Sequence, residues 1–371
     1  WIIEMKKQSE LRFPGRLAVQ QRVLPIYRVP FFELLADSCD SMSLLAGMPR
    51  PDEGVTLADG LYNAQYVKAG NIHLFPNELY LCYQQGSIPW LEDWNPDALI
   101  MEANPRYLAT ASAVKWMHER GRKVIGWGLG APPLSGVGSG FRKMRRVQFL
   151  RQFDALIAYS QRGADEYSSL GFPQEKVFVA YNSVAPALAV RPTRPTLPHP
   201  ASIIFVGRLQ ARKRVDWLLR ACADMETKPR LVIVGDGPER ARLEALAKEV
   251  YPSAEFTGTK HGSELTPWFA EADLFVLPGT GGLAVQEAMS RGLSVIVAKG
   301  DGTQDDLVRA GNGWQIPPED YGALVSTMKD ALSDVSRLRR MGDESFRIVS
   351  EEINIGKMVE TFIKALNATR N

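Results

Sequence analysis

LFVLPGTGGLAVQEAMSRGLSVIV, residues 274–297, holds a complete strand, turn, helix and strand in one run. Leu274 to Leu277 is continuously apolar, the pattern of a strand buried on both faces in a parallel sheet. Pro278-Gly279-Thr280-Gly281-Gly282 breaks it. Leu283 to Arg291 has helical character and Gly292 is its stop signal. Ser294 to Val297 is the next strand. A glycine-rich turn from strand into helix leaves backbone N–H groups directed at open space, a seat for phosphate. Glu287, one turn into the helix, can accept hydrogen bonds from sugar hydroxyls. Together these point to a nucleotide ligand; the plainer alternative is a tight βα turn with a surface glutamate.

Working outward, the same alternation recurs along the second half. Strands are expected at Ser202–Val206, Arg230–Val234 and Ala254–Phe256. Helices are expected at Val215–Ala223, Glu239–Glu249 and Glu264–Ala272. The first half repeats it, with strands at Arg16–Leu24, Ala98–Met101, Lys123–Trp127 and Ala155–Tyr159. Its helices are expected at Pro30–Ala36, Arg106–Gly121 and Phe141–Phe153. Such β-then-α order argues for α/β architecture with two Rossmann-like, doubly wound domains facing across a cleft. Between Cys39 and Trp94 the pattern is poor. Pro186 to Pro200 (PALAVRPTRPTLPHP) is too proline-rich for a helix interior or central strand and reads as a linker or hinge. The expected division is 1–185 for the first domain, 186–200 for the linker and 201–353 for the second. A final amphipathic helix, 354–371, is expected to pack back on the first domain. Ligands in open α/β sheets sit beyond the carboxyl ends of the strands. Arg208, Gly258 and Gly279 to Gly282 all follow strands and should share one rim.

The chain has 371 residues, enough for two domains, and a net charge of +2, which gives no global case for nucleic acid as a partner. Cys39, Cys82 and Cys222 are far apart and fit no metal or redox spacing, consistent with reduced thiols and a cytoplasmic location. No apolar run has the length of a transmembrane helix, and the first ten residues, WIIEMKKQSE, lack a secretory-signal pattern.

Gly207-Arg208 and Lys213 lie between a strand and a helix, with Arg212 and Arg214 alongside. A guanidinium and an ammonium there can clamp a pyrophosphate; a solvated basic turn is the bland alternative. Gly235-Asp236-Gly237 is half of a dinucleotide fingerprint followed by proline, and reads as a structural turn. Asp305-Asp306 reads as acids in the first turn of a helix rather than a metal pair. No carboxylate or histidine cluster supports a metal. His73, His118, His199 and His261 show no zinc or triad spacing, and no G-x-S-x-G elbow is present. Arg142, Lys143, Arg145, Arg146 and Arg151 interleave with Phe141, Phe149 and Phe153. That helix is either a solvated face packing its phenylalanines inward or a peripheral contact with an anionic membrane or acceptor.

FVGRLQARKRVDWLL, LVIVGDGPER, AEFTGT, ADLFVLPGTGGLAVQEAMSRGLSVIV and GDGTQDDLV, in this order, resemble the retaining GT-B glycosyltransferases of family 4, glycosyl transferases group 1. LPIYRVPFFELLA, VIGWGLG and DALIAYSQRGADEYSSLGFPQEKVFVAYNSV extend the resemblance into the first half. It implies a GT-B fold and a hexosyltransferase-type enzyme of polysaccharide biosynthesis. Such an enzyme moves a sugar from a nucleoside-diphosphate sugar to a glycan, lipid-linked or small-molecule acceptor, with retention and without a metal or other cofactor. By the resemblance Arg208 and Lys213 serve the donor diphosphate as the catalytic pair. Gly207, Gly281, Gly282 and Leu283 line it, Thr259 and Lys260 face the base, and Glu287 holds the ribose. Two departures stand out. The family's first paired glutamate falls on Gly279, and a histidine expected in the segment matching VIGWGLG falls on Leu129. Acceptor contacts are expected in the first half, from Tyr27, Arg28, Glu102 and Arg106, on strand-end logic. Asn104 shares the loop after the Ala98 strand. A GT-B sugar-nucleotide epimerase, a phosphorylase and a non-catalytic nucleotide-sugar binding protein are the alternative readings of the same fold.

Overall fold

A computed structural model describes residues 11–51, 53–75, 79–136, 138–191 and 201–370. The chain divides into two compact units. One runs to Val184 and resumes at Ile355; the other is Ala185–Asn354. Of the proline-rich linker, residues 192–200 lie outside the described residues.

The second unit is built on six parallel strands: β10 (Ser202–Val206), β11 (Arg230–Val234), β12 (Glu255–Gly258), β13 (Leu274–Leu277), β14 (Ser294–Ala298) and β15 (Gly313–Ile316). Their spatial order is β12-β11-β10-β13-β14-β15, the doubly wound 3-2-1-4-5-6 pattern. The strand order reverses between β10 and β13, so the ligand crevice of such a sheet falls at their carboxyl ends. β13 and β14 are buried throughout, as expected for apolar runs covered on both faces.

In the first unit β1 (Phe13–Val23), β2 (Cys39–Gly47), β3 (Gln65–Lys68), β6 (Ala98–Glu102), β7 (Lys123–Gly128), β8 (Ala155–Ala158) and β9 (Val177–Val179) form a parallel sheet. Its order is β3-β2-β1-β6-β7-β8-β9, with the reversal between β1 and β6. Alternation along the strands fills two cores. Leu17, Val19, Ile100 and Trp127 face Phe31, Phe32 and Phe362 on one side. Ala18, Leu99, Met101 and Val124 face Trp90, Met117 and Tyr167 on the other. The last helix, Ile355–Ala368, returns to this unit and sets Phe362 edge-on to Phe31 and Trp127, both at 4.9 Å between ring centres.

Several boundaries move. The helix expected from Arg106 begins at Thr110. Its first residues are held elsewhere, because Cys82 N donates to Arg106 O (2.9 Å) and Leu108 N donates to Cys82 O (2.9 Å). The described residues between Cys39 and Trp94 are folded. They supply β2 and β3, an antiparallel hairpin of β4 (Asn71–Leu74) and β5 (Leu81–Gln84), and the helix Ser87–Trp94. Its indole Nε1 at Trp90 donates to the buried Ser43 Oγ at 2.9 Å. The Gly235-Asp236-Gly237 turn is structural: Asp236 accepts from Gly237 N at 2.6 Å and pairs with Arg240 at 2.7 Å, fastening the next helix.

Candidate functional site

The carboxyl rim of the second sheet is assembled by hydrogen bonds between successive strand ends. Gly207 N donates to Val234 O (3.0 Å) and Gly235 N donates to Gly258 O (2.9 Å). Gly207, Gly258 and the residues after them therefore sit level along one edge. Arg208 is exposed there, as is Thr259; Lys260 is half-buried.

Lys213 is not a solvated basic residue. It ends a short 3-10 turn (Ala211–Lys213) and is only 7 % exposed. Its Nζ donates to Thr280 O (2.8 Å) and Gly281 O (3.1 Å). An ammonium has three N–H donors, so these two carbonyls leave one for a ligand. Burial pulls its pKa down to about 8, and the neighbouring charge of Arg212 adds to the effect. Arg212 Nη1 donates to the same Thr280 O at 3.1 Å. Two cations thus converge on the glycine turn that opens the helix Ala284–Ser290.

Within that turn Gly281 has φ +71°, a left-handed conformation that disfavours any side chain. Among the described residues the N–H groups of Gly281, Gly282 and Leu283 take no backbone acceptor. Gly279 explains its own departure from the paired-glutamate pattern. A Cβ there would stand 2.0 Å from Arg212 O and 2.6 Å from Lys213 Cα, so the turn lies directly on the backbone that carries both cations. Glu287 is half-buried; desolvation raises its carboxyl, opposed by Arg291 and His261. His261 itself caps the following turn with Glu264.

In the first unit the structure sorts the four acceptor-side candidates differently. Tyr27 is exposed. Arg28 is buried: its guanidinium donates to Ser183 O at 3.2 Å and to Asn182 Oδ1, and lies over the Trp127 ring at 5.6 Å. Those contacts make it a packing element that ties the start of one helix to the strand-end segment before Ala185, and not an open binding group. Arg106 is exposed, with its main chain committed to Asn104 and Cys82. Glu102 closes β6 at the reversal point and accepts from Arg22 N at 2.8 Å. Burial pushes its carboxyl up to about 7, against that hydrogen bond and the charges of Arg22 and Arg28. It lines a small cavity with Arg22, Gln20, Gln84, Tyr107 and Thr110. Around it Gln20 Nε2 donates to Gln84 Oε1 (2.8 Å) and Ser87 Oγ (3.0 Å), and Arg22 pairs with Glu53 at 2.8 Å. Gln20, Gln84 and Arg22 were invisible as a group in the sequence, because β5 belongs to the stretch without a readable pattern.

Among the described residues no group of three histidine, cysteine or carboxylate side chains is placed to hold a metal ion. Asp305 and Asp306 occupy the first turn of the helix Thr303–Leu307. Cys39, Cys82 and Cys222 are free and buried. No helix among the described residues is long and apolar enough to cross a membrane.

Residues 200–334 match the family described as Glycosyl transferases group 1. Solved structures match over nearly the whole chain. The lipopolysaccharide outer core galactosyltransferase WaaB, apo form, has a TM-score of 0.66 at 17% identity, covering 95% of this chain and 99% of that one. Anabaena Alr3699/HepE in complex with UDP and glucose has a TM-score of 0.68 at 16% identity, covering 95% and 100%. The fold is GT-B. Curated relatives match over a smaller part of the chain at higher identity. The sulfoquinovosyl transferase SQD2 of Arabidopsis thaliana is 35% identical over 143 residues, 37% of this chain and 28% of that protein. The GDP-mannose-dependent alpha-mannosyltransferase of Mycobacterium tuberculosis is 40% identical over 139 residues, 37% of this chain and 34% of that protein. The matches thus span about a third or less of these relatives' length.

Proposed function

We propose that this GT-B chain is a retaining, metal-independent glycosyltransferase of family 4 that moves a sugar from a nucleoside diphosphate to an acceptor hydroxyl. The observation that carries this reading is Lys213, buried under the glycine turn at the reversal point of the second sheet. Breaking the anomeric C–O bond places negative charge on the departing diphosphate. Arg208, the remaining proton of Lys213 and the N–H groups of Gly281, Gly282 and Leu283 stabilise that charge most when it is fully developed, which is what lowers a barrier. Glu287 holds ribose hydroxyls, and Thr259 and Lys260 face the base. No protein nucleophile is assigned; the acceptor attacks on the face the diphosphate leaves. Glu102 and the polar side chains around it lie on the acceptor side, and Tyr27 and Arg106 lie nearer solvent. The location proposed is cytoplasmic. The mannosyltransferase relatives named for GDP-mannose, and HepE with its bound UDP and glucose, support a sugar-nucleotide donor and suggest which to try first. The epimerase, phosphorylase and sensor readings have no comparable support.

The test is a thermal-shift panel of UDP-, GDP-, ADP- and dTDP-sugars, followed by mass spectrometry and anomeric NMR of products with hydroxylated acceptors, in excess chelator. An α-linked product from an α-linked donor is expected, at full rate without metal. An isomeric nucleotide sugar formed without acceptor, or dependence on added magnesium, would overturn the reading.

A further inference from the structure

The helix Ser139–Leu150 (SGFRKMRRVQFL) carries four cations and no carboxylate. An ordinary solvated helix would turn its apolar residues inward. Phe149 and Leu150 do so, with Phe149 edge-on to Phe153 at 5.5 Å. Phe141 and Met144 do not: they are 61 % and 57 % exposed. At i and i+3 they share one face, and Arg145, over the Phe141 ring at 6.0 Å, joins them. Arg142 and Lys143 are exposed as well. Two of the cations are fixed in place. Arg142 Nη2 donates to Ser135 O and Arg146 Nη1 to Pro132 O, both at 2.6 Å, so the loop before the helix is strapped to it.

Arg142, Arg145 and Arg146 line an open groove together with Pro105, Leu134 and Phe149. Pro105 connects this surface to the carboxyl rim of the first sheet. It lies three residues after Glu102, and the next residues, Arg106 to Leu108, are hydrogen-bonded to Cys82 in the β4–β5 hairpin. Leu108 is exposed, and the paired Ile72 and Tyr83 of the hairpin are exposed together.

We propose that this face of the first unit docks on an anionic phospholipid bilayer. Charge complementarity selects the occupant: a row of arginines and a lysine with no carboxylate on the helix meets lipid phosphates, while Phe141 and Met144 enter the acyl boundary. The docked face adjoins the loops after β6, so an acceptor in the bilayer surface would be presented to the Glu102 rim. The docking stands on its own observations; only that last consequence rests on the glycosyltransferase reading.

The experiment is flotation of the whole chain with vesicles of phosphatidylcholine alone and with roughly 30 mol% phosphatidylglycerol, in low and high salt. Uptake is expected on the anionic vesicles only, and to fall with salt. Lys143→Gln/Arg145→Gln removes two charges that make no structural hydrogen bond to the backbone. At about fivefold per basic side chain, partitioning should fall about 30-fold. Phe141→Ser/Met144→Ser should lower it about tenfold with the thermal transition unchanged. Equal uptake on neutral vesicles, no uptake on anionic ones, or indifference to Lys143→Gln/Arg145→Gln would overturn the proposal. So would saturable binding of free pyrophosphate without vesicle uptake, which would assign the groove to a soluble anion. Because flotation needs no turnover, its failure would leave the donor reading intact, and loss of donor binding would leave this one intact.

Discussion

Glu102→Gln should stabilise the first unit at neutral and alkaline pH. The native carboxyl titrates at about 7, against an ordinary value of 4.5, because burial at the end of β6 outweighs the Arg22 hydrogen bond and the nearby cations. Between those two values the folded chain holds a proton that the unfolded chain has released. Stability must then fall as pH rises across that interval and level off above about 7. Across that interval, at about 1.36 kcal/mol for each pH unit, the loss is on the order of 3 kcal/mol. Glutamine keeps an oxygen to accept from Arg22 N but has no charge to desolvate, so the variant should escape most of that loss. Urea unfolding followed by the first unit's tryptophans, at about pH 5 and about pH 8, measures it. Wild type and variant should differ little at the lower pH. At the higher pH the variant's transition should lie about 4–10 °C higher in a parallel thermal scan. Glu287 is also raised by burial, but it is common to both proteins and cancels in the difference. Superimposable pH profiles would show that Glu102 ionises as freely as a surface carboxylate, and the account of its burial would be wrong.

Arg208→Ala should lower kcat/KM at least about 100-fold with the thermal transition unmoved, as for loss of one transition-state charge contact; near-normal turnover would remove Arg208 from the donor site. Nucleoside-diphosphate affinity, read by calorimetry, should decline as pH rises through about 8, where Lys213 loses its proton, and Lys213→Met should flatten that decline; an unchanged profile would refute the ammonium's contact with phosphate. Gly279→Glu, which puts a carboxylate at the first position of the paired-glutamate pattern, should lose stability and gain no activity, because its Cβ would meet Arg212 O at 2.0 Å; a cost of about 1–3 kcal/mol is the usual range for forced overpacking, and a fully stable, more active variant would contradict the geometry.

Much of the second unit was legible in the sequence. Its central strands are apolar runs of four or five residues, and periodicity reads such runs well because both faces are buried. The bounds expected for Ser202–Val206, Arg230–Val234 and Leu274–Leu277 coincide with the observed strands. The stretch from Cys39 to Trp94 was not legible. Its short strands alternate burial irregularly, and its hairpin is stabilised by long-range polar contacts such as Gln84 with Gln20 and Asn71 with Arg22 O. Such contacts leave no periodic trace. The direction of Phe141, which unlike Phe149 and Phe153 faces outward, was not legible either, because composition cannot say which way an aromatic faces.

The sequence by itself determined the alternation of strand and helix, the glycine turn and the cationic segment after β10, since each is a local pattern of burial or backbone freedom. Only the tertiary structure decided what those residues do to one another. It laid Gly279 on the backbone of Arg212 and Lys213, fixed the Lys213 ammonium to the turn carbonyls, buried Arg28 against Trp127 and Asn182, and placed Glu102 where its charge is costly. Those outcomes depend on desolvation and on contacts between segments tens of residues apart, and desolvation is a property of packed surroundings that no single stretch of chain carries.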